Sequence, residues 1–145
     1  MTELFCLAPM LWLGYGHSIQ TDWHTSADLS GPVATIETCH TGIGAHVRAG
    51  GEWVAYGLHY GHGWQIAEDW TIAVQVGGGG HYSNTFHPRT HVRQVTKFSF
   101  QANISLLYKK MGLSCGYDHG SNGRGLDPTN HGQDIASCSV GYQLF

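Results

Sequence analysis

A chain of 145 residues predicts a single domain spanning 1–145. Only 12% of its residues are charged, while 21 are glycines and 12% are aromatic, a balance that excludes intrinsic disorder and suits a β-rich protein. The formal net charge is −3 and the longest basic run is Lys109-Lys110, so the sequence lacks the basic surface that nucleic-acid binding requires.

The 11 histidines do not form a recognisable metal motif. His87 and His91 are four residues apart, but Pro88 separates them and no Glu completes a zincin helix. Scattered histidines usually serve as polar filling. The sequence therefore predicts neither a metal nor another cofactor.

The first residues do not resemble an export signal. Met1–Glu3 carries an acid and no base, and the apolar stretch Leu4–Leu13 is interrupted by Pro9 without a clear cleavage site. No stretch reaches the ~18–20 apolar residues of a membrane-spanning helix. We expect either a mature sequence or a protein that reaches its place by another route.

Alternation with a period of two dominates the chain and predicts strands. Less regular segments near 4–15, 33–39 and 41–48 come first, and clearer ones follow over 54–60, 70–76, 97–109, 111–118 and 135–145. The fold predicted is an all-β, antiparallel, up-and-down β-barrel of about eight strands. Lys109–Met111 reads as a tight connection at one end, and His81–Gln94 and Asn122–Gln133 as long loops at the other.

One face of these strands is apolar and the other is small and polar. Such a pattern fits a transmembrane barrel with its apolar face outward, or a soluble sandwich with that face inside, and alternation alone does not choose. Gly, Ser and Asn on the polar face favour a narrow polar lumen, which eight strands leave just wide enough for side chains. The side chains predicted to point away from the axis are Phe98, Phe100, Ile104, Leu106, Met111, Leu113, Tyr142 and Leu144. Without a membrane, another chain or an oligomer must cover this wall.

The cysteines and the tryptophans each allow more than one interpretation. The four cysteines, Cys6, Cys39, Cys115 and Cys138, allow three pairings, and free thiols are the default expectation. Four tryptophans near strand ends are candidates for a membrane-interface belt, or simply for packing: Trp12, Trp53, Trp64 and Trp70.

The stretch from His119 to Asp134 carries the chemistry. His119 and Ser121 are two apart on one predicted strand, so their side chains share a face with Cα atoms roughly 6.5 Å apart. Asp134 begins the next strand with the same outward parity. A histidine, a serine and an acid can thus converge for nucleophilic acyl transfer: Ser121 attacks, His119 takes its proton, and Asp134 fixes the imidazole. The row belongs to the apolar face, so the substrate expected is a lipid.

These residues resemble the motif of the outer-membrane lipid A deacylases of the PagL type, which reads His-x-Ser-Asn, then Gly-Leu, then Asn-x-Gly-x-Glu before the last strand. Here the matching segments are His119–Asn122, Gly125-Leu126 and Asn130–Asp134. The resemblance covers about 70–145. It implies an eight-stranded barrel without a metal that hydrolyses the 3-O-linked acyl chain of lipid A in lipopolysaccharide, with Asn122 and the Gly125 amide stabilising the oxyanion. It also implies a bacterial outer-membrane location.

The chain departs from this pattern in three places. Asp134 stands where the family has Glu, the loop has one extra residue around Gly123-Arg124, and Pro128 lies two residues before Asn130 rather than directly before it. The missing export signal separately raises the alternative of a phage-encoded relative carried in a virion.

A second His-x-Ser-Asn occurs at His81–Asn84, without the downstream acid. It is expected to be a polar loop beside the glycine run Gly77–Gly80, or a substrate-contacting loop in which Arg89 and Arg93 bind phosphates. Three functions therefore remain: a carboxylic ester hydrolase with a Ser-His-Asp triad, a non-enzymatic structural barrel such as a virion or tail component, and a barrel that binds a lipid without cleaving it.

Overall fold

The computed structural model describes residues 9–19, 28–83, 85–86, 93–94, 97–121 and 132–145. They form ten strands: β1 (Met10–Ser18), β2 (Gly31–Glu37), β3 (Gly42–Ala49), β4 (Trp53–Ala67), β5 (Trp70–Ser83), β6 (Thr85–Phe86), β7 (Arg93–Gln94), β8 (Phe98–Tyr108), β9 (Met111–Ser121) and β10 (Gln133–Gln143). Eight of them close into a barrel in the order β1-β10-β9-β8-β5-β4-β3-β2, while β6 and β7 pair with each other. All neighbouring strands are antiparallel, which confirms the predicted up-and-down barrel.

The two ends of the barrel differ in their connections. At one end Lys109-Lys110 joins β8 to β9 in a tight turn, in which Lys109 takes a φ of 52°, and Glu68-Asp69 joins β4 to β5. The Lys109 Nζ lies 3.4 Å from Asp69 Oδ2 and links these two turns. Residues 84–97 and 122–132 connect strands at the opposite end, as the sequence predicted, and we call it the long-loop end.

The outer face of the barrel is apolar. Seven of the eight side chains predicted to point outward lie on strands and are exposed; Leu144 follows β10 and is partly buried. Neighbouring strands continue the wall with further exposed apolar side chains, among them Leu13, Ile36, Ile43, Val47, Leu58, Val76 and Val140. Exposed aromatic residues lie near both ends of the wall, as in membrane barrels: Trp64, Trp70 and Tyr108 at the turn end, and Tyr56, Tyr82 and Phe98 at the long-loop end.

The barrel interior is filled by hydrogen-bonded polar side chains. Glu37 accepts from Gln75 Nε2 (2.9 Å), and the Gln75 carbonyl accepts from Asn103 Nδ2 (3.0 Å). Asn103 in turn accepts from the Arg48 guanidinium (3.3 Å), which also pairs with Asp118. Strands β2, β5, β8, β3 and β9 are thus tied together across the axis. Buried charges are stable only when paired in this way.

Two of the four tryptophans are not on the outer wall. Trp64 and Trp70 are exposed, but Trp12 and Trp53 are 3% and 2% exposed and point inward. Trp12 donates from Nε1 to Glu37 Oε1 (2.8 Å), and its ring occupies space that a Cβ at Gly112 or Gly141 would fill. The belt interpretation was wrong for this pair because their alternation parity is that of the lumen. The glycines opposite Trp12 make room for its indole.

Within the described residues, no helix is long and apolar enough to cross a membrane.

Candidate active site on the outer wall

The register between β9 and β10 places His119 directly opposite Asp134. Both side chains point outward, as the parity argument predicted, and His119 Nδ1 lies 2.6 Å from Asp134 Oδ1. The side chains are 38% and 19% exposed, so the pair is accessible from the outer surface near the long-loop end. The histidine and the acid predicted from the sequence therefore lie in contact.

The contact fixes the chemistry of the imidazole. An ionised carboxylate can only accept a hydrogen bond, so Nδ1 carries a proton and donates it to Asp134. In the neutral ring this leaves Nε2 with a free electron pair. That tautomer is the one that a histidine needs to accept a proton from a nucleophile.

Ser121 is the last residue of β9, two positions beyond His119 on the same outer row. Its cross-strand neighbour on β8 is Phe98, and its backbone carbonyl accepts from Lys97 N (3.2 Å). Its side chain is partly exposed. The hydrogen bond between Ser121 and His119 stays a prediction. Asn122 and Gly125, the expected oxyanion residues, lie outside the described residues.

Tyr117 is a contact that the sequence reasoning missed. It precedes His119 by two residues on the outer row, and its hydroxyl donates to Asp134 Oδ1, the same oxygen that His119 contacts. The signal in the sequence was the parity that Tyr117 shares with His119, two positions further along the same strand.

Gly132 gives the imidazole its space. It has a φ of +59°, which favours glycine, and a Cβ built on it would lie 3.2 Å from His119 Cε1. Two features therefore favour glycine at this position of the Asn-x-Gly segment: its backbone conformation and the imidazole ring beside it.

The two strands that carry the pair are also joined covalently. Cys115 and Cys138 are cross-strand partners and form a disulfide, four residues along each strand from His119 and Asp134. The described part of the chain contains no free cysteine, Cys39 included. The expectation of free thiols was wrong because cysteines 23 residues apart become direct neighbours once β9 pairs with β10.

The inner face of the same strands is polar and buried. Asp118, next to His119, points inward and pairs with Arg48. The His81 ring lies against Gly120 and stacks on Trp53 with ring centroids 5.6 Å apart. The candidate site therefore has a rigid wall behind it.

The second His-x-Ser segment is not part of this outer site. His81 and Ser83 belong to β5 and point into the barrel, with exposures of 4% and 0%, and Gln133 Nε2 donates to Ser83 Oγ (3.3 Å). The expectation of a loop was wrong for both residues, because β5 extends through Ser83. Arg89 lies outside the described residues, and Arg93 lies in β7.

Over the described ranges, no group of three or more His, Cys, Asp or Glu side chains could hold a metal ion.

Comparison with known proteins identifies the fold class of the chain, and no sequence match assigns it to a family. No protein-family profile matches the chain, and no curated protein sequence does. Solved structures do match, and several of them are membrane β-barrels. Neisserial surface protein A matches with a TM-score of 0.56 at 9% identity, covering 94% of this chain and 96% of that one. A de novo designed transmembrane β-barrel matches with a TM-score of 0.54 at 13% identity, covering 97% and 98%.

Among these structures is one enzyme. The outer-membrane enzyme PagL matches with a TM-score of 0.64 at 13% identity, and the alignment covers 94% of this chain and 100% of PagL. The chain thus shares the fold of small outer-membrane barrels, both enzymatic and non-enzymatic. These neighbours give no support to the virion alternative.

Proposed function

We propose that this protein is an outer-membrane serine ester hydrolase that removes an acyl chain from lipid A, in the manner of a lipid A 3-O-deacylase. The observation that carries the proposal is the His119–Asp134 hydrogen bond on an outer wall that is largely apolar. Polar and ionisable side chains facing lipid are costly, so a paired histidine and carboxylate there indicate function.

The reaction follows from the hydrogen-bond roles. Ser121 Oγ attacks the ester carbonyl carbon while His119 Nε2 takes the hydroxyl proton, and Asp134 stabilises the imidazolium. The tetrahedral intermediate collapses to a Ser121 acyl ester, and His119 returns the proton to the departing sugar oxygen. Water then attacks the acyl-enzyme with His119 as base, which releases a fatty acid and restores Ser121. Asn122 and the Gly125 amide are the groups proposed to hold the oxyanion.

The position of the pair selects the substrate class. A substrate that reaches His119 and Asp134 from the outer wall travels within the acyl-chain region, beside Phe98 and Phe100, the cross-strand neighbours of Ser121 and His119. The long-loop end is the outer-facing end in bacterial barrels of this kind. Lipid A of the outer leaflet fits both requirements, since it presents ester-linked acyl chains at that depth.

The disulfide supports an exported location. Disulfides persist in the bacterial periplasm and at cell surfaces and are rare in reducing cytosol. Cys115–Cys138, together with the apolar wall, therefore favours the outer membrane for this chain.

The test is hydrolysis of purified lipopolysaccharide by the folded protein in detergent micelles. Wild type should release 3-hydroxy fatty acid, with a matching mass loss from lipid A, and Ser121→Ala should reduce release to the background. His119→Ala should be nearly as inactive. Asp134→Ala should release fatty acid roughly 50-fold faster than either of these variants, since the orienting acid matters least when removed alone.

The chain offers a matched control. Ser83→Ala removes the serine of the other His-x-Ser segment, which is buried inside the barrel, and should leave activity unchanged. Full activity in Ser121→Ala would refute the proposal.

A structural outer-membrane barrel is the second candidate. Two observations favour it: the barrel interior is filled by side chains that hydrogen-bond from strand to strand, and the fold matches that of Neisserial surface protein A. A folded wild type that neither hydrolyses nor binds any lipid A preparation would favour this alternative.

A further inference from the structure

Asp134 Oδ1 accepts two hydrogen bonds on the outer wall. One comes from His119 Nδ1 and the other from the Tyr117 hydroxyl. Tyr117 is 36% exposed, so its ring lies on the barrel surface rather than in the lumen. Hydrogen bonds to an ionised oxygen are about twice as strong as neutral ones, and two donors on one oxygen restrict where the carboxylate can lie.

The strand register explains how the phenol reaches this carboxylate. The residue directly opposite Tyr117 on β10 is Ala136, and Asp134 is its diagonal neighbour on the same face. Diagonal pairs are ~7–8 Å apart and lie within reach of an aromatic side chain. The small methyl of Ala136 leaves the ring free to lean toward Asp134. A larger side chain at position 136 would occupy that space.

We propose that Tyr117 is a positioning residue of the hydrolase site, which holds the Asp134 carboxylate in place so that Asp134 can orient His119. This inference rests on the proposed function, and it adds a fourth residue to the three predicted from the sequence. Asp134 is the second residue of β10, and the residues before Gln133 belong to a long connection. The hydrogen bond from Tyr117 on β9 therefore restrains the Asp134 side chain at the end of β10, where the strand gives it the least support.

The first test compares Tyr117→Phe with Tyr15→Phe. Tyr15 is an exposed tyrosine on the outer face of β1, opposite Cys138, and makes no contact with Asp134. Tyr117→Phe should lower kcat for fatty-acid release roughly tenfold while KM stays within about twofold, because the hydroxyl acts on the orientation of the base rather than on lipid binding. Tyr15→Phe should match wild type in both constants.

A second variant keeps the proposal testable if Tyr117→Phe fails to fold. Ala136→Val keeps the Tyr117 hydroxyl but adds bulk directly opposite the ring, and valine suits a lipid-facing strand position. It should reproduce the kcat loss of Tyr117→Phe. Normal kcat in both variants would overturn the proposal.

A spectroscopic readout separates this inference from the proposed function. In wild type, the His119 Nδ1 proton should give a resolved downfield proton NMR line in micelles, identified by its loss in His119→Gln. In Tyr117→Phe the line should broaden through faster exchange with solvent, while Tyr15→Phe keeps it sharp. If wild type has no esterase activity, the function fails but this line still decides the role of Tyr117. An unchanged line in Tyr117→Phe refutes that role.

Discussion

At the scale of single residues, the candidate site is a small polar patch on an apolar surface. His119 and Asp134 are in contact there, and Tyr117 completes the hydrogen bonding of the carboxylate. Two of these three were predictable, since parity and the His-x-Ser spacing place His119 outward and Asp134 stands near the start of the next strand with the same parity. Tyr117 was not, because its role depends on the register that puts Ala136 opposite it.

Gly132 provides a prediction at this scale. In Gly132→Ala the new Cβ would press on His119 Cε1, and a left-handed φ costs an alanine about 1–2 kcal/mol. We expect kcat for fatty-acid release to fall roughly tenfold through displacement of the ring, which corresponds to about 1.4 kcal/mol. Kinetics on lipopolysaccharide and urea unfolding in micelles measure the two effects separately.

The control for this variant is Gly51→Ala. Gly51 lies in the turn between β3 and β4 at the same end of the barrel, and a Cβ there meets no atom within 4 Å. It should leave kcat unchanged. Wild-type kcat in Gly132→Ala would mean that the glycine does not set the position of His119.

At the scale of elements, the β9–β10 pair is fixed from both sides. The Cys115–Cys138 disulfide joins the strands on the outside, and the Arg48–Asp118 ion pair anchors β9 to β3 on the inside. Sequence alone could not choose among three cysteine pairings. The pairing follows only when the register between the two strands is known, and that register depends on the length of the connection at 122–132.

Removal of the disulfide tests how far it supports the site. Cys115→Ser with Cys138→Ser releases a crosslink between residues 23 apart, which should lower the free energy of unfolding by about 3 kcal/mol. The backbone ladder between β9 and β10 still sets the register, so most of the activity should persist. Urea unfolding in micelles and fatty-acid release measure the two outcomes. Unchanged stability would contradict the structural role, and complete loss of activity would mean that the ladder alone does not hold the site.

At the scale of the whole molecule, period-two alternation was sufficient to predict the barrel, the outward apolar face and the tight turn at Lys109-Lys110. The interface-belt interpretation was wrong for Trp12 and Trp53, because it followed residue type, whereas their strand parity is that of the lumen. Their inward positions also depend on neighbouring strands. Glycines on facing strands leave room for the Trp12 ring, and the His81 ring stacks on Trp53. Such packing arises between strands far apart in sequence, so a single-strand pattern does not reveal it.

The proposed function requires that the outer wall carry an activated serine. An ordinary serine does not react with a fluorophosphonate, whereas a serine activated by a neighbouring base does. The most direct measurement is therefore to treat the folded protein in micelles with a long-chain fluorophosphonate and to map the adduct by peptide mass spectrometry. The presence of an activated Ser121 predicts one adduct on Ser121 in wild type, its loss in His119→Ala, and no adduct on Ser83. Absence of an adduct on Ser121, or equal labelling of Ser121 in wild type and His119→Ala, would contradict it.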